Sequence, residues 1–328
     1  MIGERHVAAG LGALVLSLSS GLVGAQDLGT VKVGVLEFGT VNWELDVIRY
    51  HGLDKERGFA LEVQGFGSGE ATNVALQGEA VDAIVDDYLW VSRQRSDGQL
   101  LTFIPFSSTV GALMVPPDSE IQSLADLEGK KVGVAGGPLD KSWLLLQGLA
   151  AKRHGMDLAV EAEPVYGAPP LLNEKVQTGE LDAVLNYWHF AARLDAKGYE
   201  ELVTVEEAIS ELGVGSVPPQ LGYVFFESFA ADNPELIAAF ADASRAAKEL
   251  LKGDAEWERI RPLTKAEDDA TFEALKRRFR EGIIERWGEQ ERADAAEVYA
   301  ILAELGGERL VGGATELAPG TFWPDVAY

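Results

Sequence analysis

The sequence predicts an α/β protein made of two Rossmann-like lobes joined by a hinge, with a central cleft between them. Apolar segments of strand length alternate with helical patterns, which is typical of parallel sheets covered by helices. The same order of elements also occurs twice, about a hundred residues apart, which indicates an internal repeat. Because ligands of such sheets bind beyond the carboxyl ends of the strands, two facing sheets predict a shared cleft.

The N-terminus has the pattern of a signal peptide. A basic start is followed by an apolar run from Val7 to Leu18, and Val23-Gly24-Ala25 fits an A-x-A-like cleavage site. The run is shorter than the ~20 apolar residues that a membrane-spanning helix needs. We therefore expect export, with residues 1–25 removed by cleavage near Ala25, and a retained anchor as the alternative.

Composition excludes several classes of protein. The 328 residues contain no cysteine, which excludes disulfides, thiolate metal sites, a cysteine nucleophile and a lipid-modified cysteine. The formal charge of −25, from 53 acidic and 28 basic residues, opposes binding to nucleic acid or anionic lipid. We expect a monomer that binds no nucleic acid and holds no cofactor.

The two copies of the repeat begin in the same way. The first has an alternating strand from Val31 to Val35, a polar loop that leads to Trp43, a helix, and a second strand at Leu61 to Val63. The second has a strand from Val132 to Val134 and a Gly-rich loop that leads to Trp143, again followed by a helix and an extended segment. Both copies are predicted β-loop-α-β units.

The two copies also end in nearly the same phrase. Residues 78–87 and 179–187 each combine a glycine, acidic residues and a run of four apolar residues, which predicts a buried strand after a helix. In this alignment Asp86 corresponds to Asn186 and Asp87 to Tyr187.

Two proline-containing segments suit crossings between the lobes, since proline fits strand ends. They are Val115-Pro116-Pro117 and Val217-Pro218-Pro219. The predicted boundaries are therefore residues 26–115 plus 222–328 for the first lobe and 116–221 for the second. Helical patterns after Asn233 predict helices that brace the first lobe.

Four segments carry a resemblance to a known family, over essentially the whole mature chain. They are Val33-Gly34-Val35 with the Trp43 loop, residues 78–83, residues 121–134 and residues 179–183. They resemble the periplasmic binding proteins of the nitrate, taurine and sulfonate (SsuA-like) importers, together with the thiamine-precursor, or NMT1/THI5-like, branch.

The resemblance implies a type II periplasmic binding fold that closes around a small molecule and docks on an ABC permease in the inner membrane. It also implies a periplasmic location, which agrees with an exported chain that lacks a cysteine for lipid attachment. The enzymes of the yeast branch carry a cysteine-rich signature that this chain lacks, so we expect no enzymatic activity.

The segments that follow strands predict the residues that contact the ligand. This set consists of Glu37, Thr40, Asn42, Trp43, Ser68, Asp86, Asp87, Tyr88, Trp90, Gly137, Asp140, Tyr166, Asn186, Tyr187, Trp188 and His189. The adjacent carboxylates of Asp86 and Asp87 favour a cationic ligand or a neutral heterocycle, because they would repel an anion. One of them could instead cap the following helix.

Two alternatives remain open at this stage. The cargo could be a metal ion held by carboxylates such as Glu37, Asp86, Asp87 and Asp140. An exported enzyme could use His189 with Asp86 or Asp87, although no nucleophile elbow or paired-histidine motif accompanies that histidine. We predict no catalytic residue and no resident metal.

Overall fold

The computed structural model describes residues 27–328, so the predicted signal peptide lies outside the described residues. The chain forms two five-stranded sheets with helices packed on them. The strands are β1 (Gly29–Leu36), β2 (Phe59–Phe66), β3 (Ala83–Asp86), β4 (Leu101–Ser107), β5 (Gly111–Val115), β6 (Lys131–Ala135), β7 (Glu163–Gly167), β8 (Ala183–Tyr187), β9 (Glu200–Thr204) and β10 (Leu221–Phe226).

Fifteen α-helices are assigned in the described part of the chain, with one 3-10 turn at Leu124–Leu127. The helices are α1 (Val41–His51), α2 (Leu53–Glu56), α3 (Gly69–Gln77), α4 (Tyr88–Ser96), α5 (Lys141–His154), α6 (Leu158–Glu161), α7 (Pro169–Gln177), α8 (Trp188–Asp195), α9 (Val205–Leu212), α10 (Glu227–Asp232), α11 (Pro234–Leu251), α12 (Asp254–Thr264), α13 (Asp269–Glu281), α14 (Glu289–Gly306) and α15 (Glu308–Val311). None of the helices within residues 27–328 combines the length and apolar character needed to cross a membrane.

The two sheets share one plan. Their strand orders are β2-β1-β3-β10-β4 and β7-β6-β8-β5-β9. In each sheet the first three strands are parallel, and the fourth runs antiparallel to the third and fifth. We call the parts built around them the first and the second lobe. The prediction of a two-lobed α/β protein is confirmed.

The repeated phrase has the same structural role in both lobes. Asp82 Oδ2 accepts a hydrogen bond from the backbone N–H of Lys32 at 2.8 Å, and Asp182 Oδ2 accepts one from Lys131 at 2.8 Å. The backbone N–H groups of these aspartates donate back to Lys32 and Lys131, each at 2.9 Å. Asp82 thus fixes the turn before β3 to β1, and Asp182 fixes the turn before β8 to β6.

The first crossing between the lobes lies earlier than the sequence predicts. Strand β5, Gly111–Val115, pairs with β8 and β9 in the second sheet, so it does not belong to the first lobe. The chain crosses at residues 108–110, before β5, and not after Val115. Strand β10, after the crossing near Pro218, occupies in the first sheet the place that β5 occupies in the second.

The C-terminal helices divide between the lobes. Helix α11 packs against α1 of the first lobe, and α12 and α13 follow it there. Helix α14 instead packs against α5 of the second lobe, and Val298, Tyr299 and Leu302 lie in the same buried cluster as Leu145 and Leu149. The prediction that all these helices brace the first lobe is wrong for α14, because an apolar helix face does not itself specify its partner.

Candidate ligand-binding site between the lobes

A cavity of about 780 Å³ lies between the lobes. Its walls come from the loop after β1, from the corner between α12 and α13, and from helices α7 and α8 of the second lobe. Five of the residues that the sequence predicts as ligand contacts line it, namely Glu37, Thr40, Asn42, Trp43 and His189.

The loop after β1 is shaped by its own hydrogen bonds. Asn42 Nδ2 donates to the carbonyl oxygens of Leu36 at 2.7 Å and Gly39 at 2.8 Å, so the amide group of Asn42 holds the loop in place. Glu37 is exposed, and a Cβ at Gly65 on the adjacent strand would lie only 2.8 Å from Glu37 Cγ. Glycine at position 65 therefore leaves the space that the Glu37 side chain occupies.

Trp43 forms part of the cavity wall from within a packed aromatic group. Its indole is 4% exposed, meets Trp257 edge to face at 5.6 Å between ring centroids, and lies 6.0 Å from Trp188 of the second lobe. Trp43 Nε1 donates to the carbonyl oxygen of Leu263 at 3.2 Å. Packing therefore fixes the ring, which can present only part of its surface to a ligand.

Arg193 on α8 ties the second lobe to the corner between α12 and α13. It donates to the carbonyl oxygens of Thr264 at 3.0 Å and Lys265 at 3.2 Å, and to Glu267 Oε2 at 2.7 Å. The carbonyls at the end of a helix attract a cation, which favours this contact. Arg193 is not among the residues predicted from the sequence, where its spacing of one helical turn from His189 was the only signal of this role.

His189 is a neutral group in the cavity wall. Burial, reinforced by the nearby charge of Arg193, lowers the pKa of His189 to about 4. Its Nδ1 atom is buried and makes no hydrogen bond within the part of the chain that the structure describes. Such an imidazole can exchange hydrogen bonds with a ligand, but it is a poor general base at neutral pH.

A second group of charged residues lies beside this region, outside the residues that line the cavity. The backbone N–H of Asp87 donates to Asp86 Oδ1 at 2.8 Å, and Asp87 Oδ1 caps α4 by accepting from the N–H of Trp90 at 2.8 Å. Asp87 Oδ2 lies 2.9 Å from Lys141 Nζ, across the gap between the lobes. Asp140 caps α5, and its Oδ1 accepts the N–H groups of residues 142 and 143.

In this group three carboxylates surround one ammonium group, and the pKa values reflect both this charge balance and burial. Burial, with the neighbouring charge of Asp87, raises the pKa of Asp86 to about 7. Burial also raises the pKa of Asp140. For Asp87, burial acts upward but the attraction of Lys141 and hydrogen bonds lower the pKa overall. Burial acts against the charge of Lys141, yet the carboxylates raise its pKa, so this lysine stays protonated at neutral pH.

Three of the residues predicted as ligand contacts lie largely in the protein interior. Tyr88 is 0% exposed and packs against Phe103, and Trp188 is 9% exposed and packs against Trp43. Asn186 is 1% exposed; its Nδ2 donates to the carbonyl oxygen of residue 169 and to Oδ1 of residue 173, and its Oδ1 accepts the N–H of residue 187. Its hydrogen-bonding groups therefore serve the second lobe itself.

The remaining predicted contacts have mixed surroundings. Trp90 is half-buried against the core, and Ser68 is exposed and caps α3 by accepting the N–H of Ala71 at 3.3 Å. Gly137 has a φ of +97°, which favours glycine. Tyr166 and Tyr187 of the second lobe are 42% and 40% exposed, so both rings remain available to a ligand.

Within residues 27–328, no three His, Asp or Glu side chains are grouped so that they could hold a metal ion. Of the carboxylates considered for a metal cargo, Glu37 lines the cavity, whereas Asp86, Asp87 and Asp140 do not, and Asp87 is already paired with an ammonium group.

Comparison with known proteins agrees with this architecture. The model of the NMT1/THI5 like family matches residues 49–255. Among curated proteins, none matches the sequence. The periplasmic aliphatic sulphonate-binding protein SsuA from Escherichia coli has a similar structure, with a TM-score of 0.71 and 17% identity over 90% of this chain and 92% of that one.

Two further structures are similar over the same share of the chain, 90%. The alkanesulfonate-binding protein SsuA from Xanthomonas axonopodis pv. citri, bound to MOPS, has a TM-score of 0.67 and 18% identity, with 98% of its chain covered. The zinc-bound ligand-binding component of an ABC-type import system from Staphylococcus aureus has a TM-score of 0.64 and 12% identity, with 97% covered. At these identities the likeness shows the fold, which is that of the periplasmic binding proteins. With the family model matched over more than half of its length, the chain belongs to the NMT1/THI5-like family.

Proposed function

We propose that this protein is the solute-binding component of an ABC-type importer, and that it captures a small molecule in the cavity between its lobes. The observation that carries the proposal is that both lobes supply walls of one cavity of about 780 Å³. Sites for small molecules typically measure about 300–1,000 Å³. The proposal includes export to the periplasm, and an inner-membrane permease as the partner that receives the solute.

The contacts between the lobes support a hinge mechanism. Arg193 reaches from the second lobe to the corner between α12 and α13, and Lys141 reaches Asp87 in the first lobe. A ligand that touches both walls adds contacts which exist only when the lobes are together, so it shifts the population towards the closed form. The permease would recognise this closed form.

The cavity chemistry supports binding more than turnover. His189 is neutral, and its buried Nδ1 has no hydrogen-bond partner among the described residues. A small organic solute, cationic or a neutral heterocycle, suits the aromatic and polar walls and the nearby carboxylates better than a metal ion does. Zinc in the Staphylococcus aureus protein keeps the metal alternative open to test.

Native mass spectrometry of the protein purified without refolding tests the proposal. We expect an added mass of a small molecule that is lost on denaturation, and a smaller radius of gyration in X-ray scattering when that molecule is returned. A bound metal would be removed by a chelator, whereas an organic solute would stay. Failure to find a bound molecule, together with the absence of any ligand-induced compaction across a solute library, would contradict the proposal, and turnover of the bound molecule would favour an enzyme.

A further inference from the structure

Lys141 forms an ion pair that joins the two lobes. Its Nζ lies 2.9 Å from Asp87 Oδ2, and both side chains are largely buried, at 17% and 25% exposure. Lys141 is the first residue of α5, where the helix dipole disfavours a cation. Its position is therefore stabilised by the carboxylates across the gap and not by its own helix.

The internal repeat shows that the fold does not require this pair. The residue equivalent to Lys141 is Val41, which is likewise the first residue of its helix. The residue equivalent to Asp87 is Tyr187, which likewise precedes the first residue of a helix. The equivalent residues Val41 and Tyr187 are both uncharged. The ion pair between Lys141 and Asp87 therefore has no counterpart in the repeat.

Negative charge outweighs positive charge around the pair. Three carboxylates, those of Asp86, Asp87 and Asp140, lie near one ammonium group. Asn73 lies near Asp86, and its Oδ1 is buried and has no donor within the described chain. A buried acceptor without a donor is costly, so it favours a ligand that brings one.

An aromatic ring stands beside the same group. Tyr187 is 40% exposed, and a Cβ built at Gly136 would lie 3.0 Å from its hydroxyl. The same Cβ would lie 2.5 Å from Asp140 Oδ2, so the hydroxyl and this carboxylate are neighbours. Burial and the charges of Asp140 and Asp87 raise the pKa of Tyr187 to about 12. A ring next to carboxylates suits a cation attached to a flat or apolar body.

We propose that Lys141 is a specificity-determining residue. Its ammonium group pairs with Asp87 in the free protein, and a protonated primary amine or amidine of the ligand replaces it there on binding. This inference rests on the proposed binding function and names its ligand class. It extends the site from the cavity to Asp87, which follows β3 next to the end of β1 and its cavity-lining loop. Lys141 can then move towards Asp140, whose charge also attracts it. A ligand with N–H donors can hydrogen-bond to the Asp87 carboxylate, which a quaternary ammonium cannot do.

Calorimetric titration with three probes of one shape tests the proposal. The probes are benzylamine, benzyltrimethylammonium and benzenesulfonate. In the native chain we expect weak binding of benzylamine and no binding of the other two. Lys141→Met should tighten benzylamine binding about tenfold, because it removes the competing internal ammonium group. Asp87→Asn should abolish binding while it keeps the cap of α4, since asparagine caps helices well.

Lys131→Met is the matched control, because it removes the same charge from an exposed position in the same lobe. It should leave the affinity for benzylamine unchanged. The proposal is overturned if Lys141→Met weakens or does not change benzylamine binding, if Lys131→Met tightens it equally, or if no cationic probe binds. Sulfonate binding that Lys141→Met abolishes would show that Lys141 holds an anionic ligand itself, which also overturns it.

The two proposals fail in different ways. A neutral or anionic solute found by native mass spectrometry, with compaction of the protein, would leave the binding function intact and refute the amine class. Absence of any bound solute and of any compaction would refute the binding function itself.

Discussion

The indole rings of Trp43 and Trp188, one from each lobe, meet edge to face with their centroids 6.0 Å apart and their planes at 89°. Elsewhere between the lobes, the carboxylate of Asp87 and the ammonium group of Lys141 form an ion pair. The lobes are therefore joined by an aromatic contact and by an ionic contact that are not equivalent in the repeat. Trp43 of the aromatic contact lines the cavity, and the ion pair of Asp87 with Lys141 is the proposed determinant of ligand selectivity.

Arg193→Gln is expected to shift the protein towards an open form. The variant loses donors to the carbonyl oxygens of Thr264 and Lys265 and the ion pair with Glu267, all of which cross between the lobes. X-ray scattering should show a larger radius of gyration, and the affinity for the co-purified solute should fall roughly tenfold, about 1.4 kcal/mol. Arg57→Gln, which removes an ion pair with Asp242 inside the first lobe, should change neither quantity. An unchanged radius in Arg193→Gln would refute the role of this contact in closure.

Asp86→Asn is expected to stabilise the protein at alkaline pH. The pKa of Asp86 is about 7 in the folded chain, against about 3.9 when unfolded, so the folded state holds an extra proton between these values. The stabilisation by this carboxyl is therefore complete below about pH 4 and is lost as the pH rises through 7. Asn is neutral at every pH and already stands at the equivalent position 186.

Thermal unfolding of both proteins from pH 5 to pH 9 checks this. The advantage of Asp86→Asn should be small at pH 5 and grow to on the order of 1–2 kcal/mol at pH 8. An advantage that shrinks as the pH rises would show that Asp86 is ionised and favourably paired in the folded state.

Glu79→Gly is expected to stabilise the turn before β3. Glu79 has a φ of +54°, while its equivalent in the second lobe is Gly179, with a φ of +75°. A left-handed conformation costs a residue with a Cβ roughly 1 kcal/mol, and glycine avoids that cost. Urea unfolding should show a gain of up to about 1 kcal/mol. Ala80→Gly, at a neighbouring residue with ordinary φ, should lose about the same amount; a loss in both variants would contradict the argument.

Glu44→Gln is expected to destabilise the first lobe strongly. Glu44 is fully buried, pairs with Lys248 Nζ at 2.5 Å, and its Oε1 accepts hydrogen bonds from Tyr223 at 2.8 Å and Ser244 at 2.6 Å. The variant leaves a buried ammonium without its counter-charge, which costs about 3–5 kcal/mol when one partner is removed. Burial lowers the pKa of Lys248 even with Glu44 present, so the loss should shrink as the pH rises and the lysine becomes neutral.

Chemical unfolding of the single and double variants measures this interaction. Adding Lys248→Met to Glu44→Gln should recover most of the lost stability, because no uncompensated charge remains and Gln still accepts from Tyr223 and Ser244. Additive losses in the double variant would show that the two residues act independently.

Local pattern predicted much of the fold. The phrases that end in Asp82 and Asp182 were recognisable because each aspartate has the same local task, which is to fix a turn to a strand of its own lobe. The place of β5 was not recognisable, because a strand of five buried residues fits either sheet and long-range pairing selects one of them. The partner of α14 was missed for the same reason.

In the candidate site, too, local pattern predicted the segments but not the surroundings of each side chain. Strand ends identified the right loops, but a single step along the chain reverses the direction of a side chain. Asp87 and Tyr187 are partly or largely exposed, while the next residues, Tyr88 and Trp188, are buried. Arg193 acquired its role only because α8 meets the corner between α12 and α13.

The sequence by itself determined the two α/β lobes, the family and the strand ends at which a ligand would bind, since these follow from local periodicity and repeated motifs. Only the tertiary structure decided which lobe contains β5, which aromatic rings pack in the protein interior, and that Lys141 faces Asp87. Those outcomes depend on contacts between residues far apart in the chain, whose energies no local pattern encodes.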